Sequence, residues 1–295
     1  MGGVNQTDAS PVLVTGATGR VGRVVIDQLL DAGVPVRALT RRPKAAAALP
    51  AKVEVFTGDI TVPESLDPAL KGAGAVFLVW TAPPRSAEAV IQRLAAHVRR
   101  VVFLSSPHRT PHPLFQQPNP LAVLHADIER LIAATGLEST IIRPGMFASN
   151  SLAWWAPAIR AGDVVRWPYS AAPSAPVDDR DIAAVAARTL HQGGYAGGDY
   201  VLTGPESLTQ AAQVDIIGDA LGRRIVCEEM TPDEFRSLWE STAPSSAVDM
   251  LLAAWSAAVG HPAYITTAVA DILGTAPRTF RRWAADHATA FTQGS

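Results

Sequence analysis

The chain has 295 residues, 48% of them apolar, and a formal net charge of −2. That length and composition suit a large α/β domain with a smaller lobe, and the balanced charge offers no basic surplus for nucleic acid. The single cysteine, Cys227, excludes an internal disulfide framework, and no stretch approaches the roughly 20 apolar residues of a bilayer span, so a soluble, cytoplasmic protein with no membrane partner is expected.

Residues 1–10 are polar and read as a disordered lead-in. Val12-Leu13-Val14 is a short strand, Gly16, Gly19 and Gly22 follow at three-residue spacing, and Val21, Val24, Val25, Leu29 and Leu30 recur at helical spacing. The stretch therefore reads as strand, glycine turn, helix. Such a turn aims unpaired N–H groups of the helix start outward, where the positive end of the helix dipole favours a phosphate. A side chain at Gly19 would hold a pyrophosphate off the backbone, and Gly22 lets the helix pack close on the strand. The spacing differs from G-x-G-x-x-G, so a turn that binds nothing is the alternative.

Residues 34–39 form a second strand that ends in Thr40-Arg41-Arg42-Pro43. An NAD-selective site places a carboxylate there to accept from the ribose 2′-hydroxyl; Arg41 and Arg42 instead favour the 2′-phosphate of NADP(H), unless they belong to an ordinary solvated loop. Residues 53–56 are a third strand, Gly58-Asp59-Ile60 a turn in which Asp59 can cap a helix, and 63–70 a short helix. Residues 75–79 are wholly apolar, as in the middle of a parallel sheet, and run into Trp80-Thr81-Ala82-Pro83-Pro84. A helix over 86–98 precedes a fifth strand, 101–104, that ends in Ser105-Ser106. Strands and helices alternating on this period imply right-handed crossovers and a doubly wound parallel sheet, with ligands beyond the carboxyl ends of the strands.

The loop 107–120 carries His108 and His112 but no cysteine or carboxylate cluster beside them, so no metal site is expected. The helix 121–135 puts Leu124, Ile128, Leu131 and Ile132 on one stripe, Gly136 stops it, and a sixth strand over 139–142 leads into Arg143-Pro144-Gly145-Met146-Phe147. After residue 150 the composition shifts. Trp154, Trp155 and Trp167 fall close together, a Ser/Ala/Pro run covers 170–176, and helices are expected over 181–191 and 208–221 with a strand at 200–202 between them. The remainder, from about 232 to 290, reads as helical with Pro232, Pro262 and Pro277 as punctuation.

Thr15-Gly-Ala-Thr-Gly-Arg-Val-Gly22 resembles the opening of extended and atypical short-chain dehydrogenase/reductases. The run through His125, Glu129, Gly136 and Ile141-Ile-Arg-Pro-Gly-Met-Phe147 to Asn150 resembles NmrA-like NAD(P)H-binding proteins, a branch of the atypical members. The likeness is clear over 11–150, weaker in 176–184 and architectural beyond. It implies an α/β fold: a Rossmann domain over 11–150 and a smaller, mainly helical substrate lobe over 151–295, with segments such as 176–202 returning to the core. By the same resemblance Thr15, Gly16, Thr18, Gly19, Arg20 and Val21 belong to the phosphate turn, Asp59 and Ile60 lie beside the adenine, and Trp80, Thr81 and Ala82 run along the cofactor. Ser105, His125, Pro144, Met146 and Phe147 complete the cofactor contacts. Trp80, Phe147, Asn150, Trp154 and Trp155 are expected to wall a pocket for a flat apolar small molecule, buried packing being the alternative for the tryptophan pair.

Active short-chain dehydrogenases carry a Tyr-x-x-x-Lys pair. Here the only lysines are Lys44, Lys52 and Lys71, all ahead of the relevant helix; Leu121 matches the tyrosine position and His125 the lysine. Reducing a ketone creates an alkoxide that needs a positioned proton donor, a contribution of about 10²- to 10⁴-fold. Hydride transfer to a quinone, a conjugated enone or an iminium ion delocalises or cancels that charge. The family's serine position is kept as Ser105 or Ser106, with Ser106 a catalytic candidate that can hydrogen-bond the nicotinamide or a substrate oxygen; His125 is either the catalytic proton source, its ring oriented by Glu129 one turn on, or a half-buried residue that only touches the ribose. Two functions stay open: an NADP(H)-dependent reductase of such substrates, favoured by the tryptophan-rich lobe, and a non-catalytic NADP(H)-binding sensor, favoured by the missing pair.

Overall fold

The computed structural model describes residues 10–240 and 242–292, so the expectation for residues 1–9 lies outside it. In chain order the elements are β1 Val12–Val14, α1 Arg20–Asp31, β2 Val36–Thr40, β3 Glu54–Thr57, α2 Asp67–Leu70, β4 Ala75–Val79, α3 Ala87–His97, β5 Arg100–Leu104, α4 Pro120–Ala133 and β6 Glu138–Pro144. Next come α5 Asn150–Ala161, β7 Val164–Trp167, β8 Pro173–Ser174, α6 Asp179–His191, β9 Asp199–Leu202, β10 Leu208–Thr209, α7 Gln210–Leu221, β11 Val226–Glu229, α8 Pro232–Trp239, α9 Ser245–Ala258, α10 Ala268–Leu273 and α11 Phe280–Asp286.

Seven strands form one sheet in the order β3-β2-β1-β4-β5-β6-β9. The five pairings from β3 to β6 are parallel, with Val12 opposite Val36 on one side and Ala75 on the other. At the edge, Ile141 N–H donates to Gly198 and Gly145 N–H to Leu202, so β6 and β9 advance together. The strand order reverses beside β1, where its neighbours β2 and β4 diverge, and that reversal is where an open α/β sheet leaves a crevice for a ligand. The expected doubly wound parallel sheet is therefore present.

Two local expectations are corrected. The helix read over 63–70 is a 3-10 turn, Pro63–Leu66, followed by α2, because Pro68 lacks the N–H that a continuous α-helix would direct at Glu64. The helix read over 208–221 starts at Gln210: Leu208–Thr209 pair antiparallel with β8, and the Thr209 hydroxyl caps the helix by accepting from Ala212 N–H.

The chain divides into two compact units. The first runs through Ser106 and adds Val123–Arg143 and Ile182–Tyr200. Its core includes Leu13, Val76, Leu78, Val101 and Phe103 from the strands, with Ile91, Leu94, Ile128 and Ile132 from helices. The second contains Pro107–Ala122, Pro144–Asp181 and the chain from Val201 onward. Its core is aromatic: Trp155, Trp167, Phe235 and Trp255 pack with ring centroids 5.0 to 5.9 Å apart, mostly edge to face. No helix among the described residues is long and apolar enough to cross a membrane.

Candidate cofactor and active site

Within the first unit, the residues expected to meet a cofactor follow the carboxyl ends of successive strands. After β1, Gly16 takes a left-handed backbone (φ +62°), and Gly19 precedes α1 in extended conformation without a side-chain cap or an acidic residue in the first turn. Gly16, Gly19 and Arg20 are exposed. A Cβ on Gly22 would lie 2.2 Å from the Gly16 carbonyl oxygen, so the helix start sits as close to the turn as a glycine permits. This is a cradle of a kind a pyrophosphate fits. Thr18 is half-buried and Val21 buried. The Thr15 side chain is committed elsewhere: its hydroxyl donates to Phe77 O (3.0 Å) and accepts from Val79 N–H (2.8 Å), tying the turn to β4.

After β2, Arg41 and Arg42 are both exposed, and Arg42 N–H donates to the Thr40 hydroxyl at 3.1 Å. After β3, the Asp59 carboxylate accepts from Thr61 N–H at 2.8 Å, which holds its pKa below the ordinary value, and the Arg41 charge adds to this. Asp59 therefore braces its own turn, while Ile60 is core. After β4, Thr81 is exposed and Ala82 buried, but the Trp80 ring is only 4% exposed, with Nε1 donating to Ala82 O at 2.7 Å. Hydrogen-bonded and packed in the first core, the Trp80 ring braces the turn that follows β4.

Beyond β5 the polar groups converge. His125 Nδ1 lies 3.0 Å from Ser106 Oγ, and its ring meets Phe103 edge-on. Glu129, one turn along α4, accepts from the Ser105 hydroxyl and forms a two-pronged pair with Arg143, at 2.7 and 2.8 Å. Arg143 also grips Asp199 at 2.5 and 3.0 Å and donates to Ser106 O at 3.0 Å. Burial alone would lower the guanidinium pKa; the bonds to Asp199 and Glu129 outweigh it and raise it. Sequence reasoning had no role for Arg143 or Asp199. Their signal was a charged residue inside the run Ile141-Ile142-Arg143-Pro144, which in a buried strand demands charged partners.

The second unit holds the other expected residues. Pro144 is buried, and Met146 and Phe147 are half-buried beside Val177, whose N–H donates to Met146 O at 2.8 Å. Asn150 opens α5. The Trp155 side chain is wholly buried, because α5 turns it into the aromatic core, and Trp154 packs half-buried against it at 6.0 Å, the arrangement of the buried-packing alternative.

A glycine turn that opens a helix where a parallel sheet reverses its strand order suits a phosphate-linked dinucleotide, and the fold is of the NAD(P)H-dependent oxidoreductase class. A family model described as NAD(P)H-binding matches residues 16–192, and the chain belongs to that family, among the atypical short-chain dehydrogenase/reductases. It is 38% identical, over 95% of its own length and 99% of the relative's, to (4-alkanoyl-5-oxo-2,5-dihydrofuran-3-yl)methyl phosphate reductase of Streptomyces griseus subsp. griseus. The crystal structure of NADPH-dependent quinone oxidoreductase from Escherichia coli, complexed with NADPH, superposes with a TM-score of 0.79 at 26% identity, covering 93% of this chain and 99% of that one. An NmrA mutant shares the fold at a TM-score of 0.75 and 19% identity over 97% of both chains.

Proposed function

We propose that the protein is an NADPH-dependent reductase of conjugated or iminium-type small molecules, quinone, enone or imine, working without a Tyr-x-x-x-Lys pair. The observation that carries this reading is the pairing of His125 with Ser106, at 3.0 Å, in a helix where exposed Leu121 and buried His125 match the positions of the family's tyrosine and lysine. The bound cofactor supplies the hydride. The first turn of α1 holds the pyrophosphate through its backbone N–H groups, and Arg41 and Arg42 hold the 2′-phosphate. A protonated His125 donates its Nδ1–H to Ser106 Oγ while the Ser106 hydroxyl proton passes to a product whose charge is already delocalised, which leaves a neutral imidazole that takes its next proton from water. No group at the Leu121 position can protonate an isolated alkoxide.

The relatives' names support the substrate class. A 4-alkanoyl-5-oxo-2,5-dihydrofuran contains a ring C=C conjugated with carbonyl groups, and a quinone is likewise an electron-poor π system. The single cysteine keeps a reducing, cytoplasmic setting within this reading.

The test is His125→Ala. A fall in kcat of about 10²-fold with unchanged NADPH affinity supports the proton role. Weaker NADPH binding with unchanged kcat makes His125 a ribose contact and removes it from the chemistry.

A further inference from the structure

The Arg143 side chain is 1% exposed, and a guanidinium has five N–H donors in a fixed fork. Nε donates to Asp199 Oδ1; Nη2 to Asp199 Oδ2 and Glu129 Oε2; Nη1 to Glu129 Oε1 and the carbonyl oxygen of Ser106. All five are used inside the protein, so Arg143 has none left for a ligand. What it holds is the polar cluster. It fixes the Ser106 carbonyl directly, and it fixes Glu129, which accepts the Ser105 hydroxyl. Ser106 in turn meets His125 through Oγ. A buried ion pair is not by itself a stabiliser, because desolvation offsets the attraction; what a doubly two-pronged guanidinium supplies is direction.

We propose that Arg143, clamped between Glu129 and Asp199, is a positioning residue for the reaction: it sets the Ser105–Ser106 backbone at the end of β5 and, through Ser106 Oγ, the ring of His125. The inference rests on the reading of Ser106 and His125 as the proton-handling pair. Lysine keeps the charge but is a point donor and cannot serve two carboxylates and a carbonyl in one plane, so charge without the fork is not expected to suffice.

The experiment uses the full chain with NADPH and menadione, and a double-mutant cycle against His125→Ala. Arg143→Lys is expected to lower kcat by about ten- to a hundredfold through misplacement, with KM for menadione and Kd for NADPH within about twofold of wild type. Asp199→Asn, at a side chain that is 44% exposed, is expected to lower kcat in the same sense and carries the test if Arg143→Lys does not fold. In the His125→Ala background neither change is expected to lower kcat further, because the groups act in series. Wild-type kcat in folded Arg143→Lys overturns the proposal, as does a loss that persists undiminished without His125, as a merely structural ion pair would give. If His125→Ala alone keeps wild-type kcat, the reading of His125 fails first and this inference falls with it.

Discussion

Gly22→Ala tests how closely α1 must approach the phosphate turn. A Cβ there would stand 2.2 Å from the Gly16 carbonyl oxygen, 2.9 Å from its carbonyl carbon and 3.2 Å from the Ala17 Cα. These are all backbone atoms, so no side chain can swing aside, and the helix start must draw back by about 1 Å to reach ordinary contact. It has little freedom to do so, because Val25, Ile26 and Leu29 on the same helix are fully buried. Overpacking of this kind costs about 1–3 kcal/mol, and each kcal/mol lowers the melting temperature of a chain this size by roughly 2–4 °C. A similar displacement of the first-turn N–H groups breaks hydrogen bonds to a charged phosphate that contribute about 1.5–3 kcal/mol each, so NADPH affinity should fall at least about tenfold. The assay pairs thermal melting with NADPH fluorescence titration, using Gly136→Ala as the control. Gly136 has nothing within 4 Å of its would-be Cβ and a backbone outside the left-handed region, so alanine there should stabilise by about 0.4–1 kcal/mol and leave affinity alone. Wild-type melting and wild-type NADPH affinity in Gly22→Ala would refute the close-approach reasoning.

Cofactor choice is expected to follow the arginines: NADPH should bind at least about tenfold more tightly than NADH, and Arg41→Ala/Arg42→Ala should abolish that preference, whereas equal wild-type affinities would sink the phosphate-clamp reading. In the second unit, Glu234 accepts from Thr231 N–H in a capping box and pairs with Arg166, which lowers its pKa from 4.5 to about 2. A depressed carboxylate pKa stabilises above the unfolded value and is lost as pH falls through the folded one. The melting difference between wild type and Glu234→Gln should therefore be constant above about pH 5 and shrink between about pH 4.5 and 2, and a difference that grows on acidification would contradict it.

The sheet was legible because its strands are local apolar runs. Val12–Val14 and Ala75–Val79 match the expected bounds, and β2, β3, β5 and β6 differ from them by one or two residues. The glycine turn that opens α1 was legible as a turn for the same reason: its spacing is local in sequence. What escaped depends on distant partners. β7 finds β11 62 positions later, with Val164 opposite Val226 and no continuous apolar run in either strand. α5 contains Pro157, a helix breaker that the surrounding aromatic packing overrides. The grip of Arg143 on Asp199 joins two strands separated by 56 positions, which no spacing rule reports. The tryptophans were visible but their direction was not, since a ring that lines a pocket and one that fills a core look alike until a helix face is fixed.

The most direct test of the account is a survey of NADPH oxidation by the purified protein with a quinone, an activated alkene, a cyclic iminium compound and a simple ketone, in parallel. The account predicts turnover with members of the first three classes and little or none with the ketone, because only the ketone leaves an unassisted alkoxide. Efficient ketone reduction would contradict the argument from Leu121 and His125, and NADPH binding without turnover of any of the four would replace the reductase with a sensor of the cofactor.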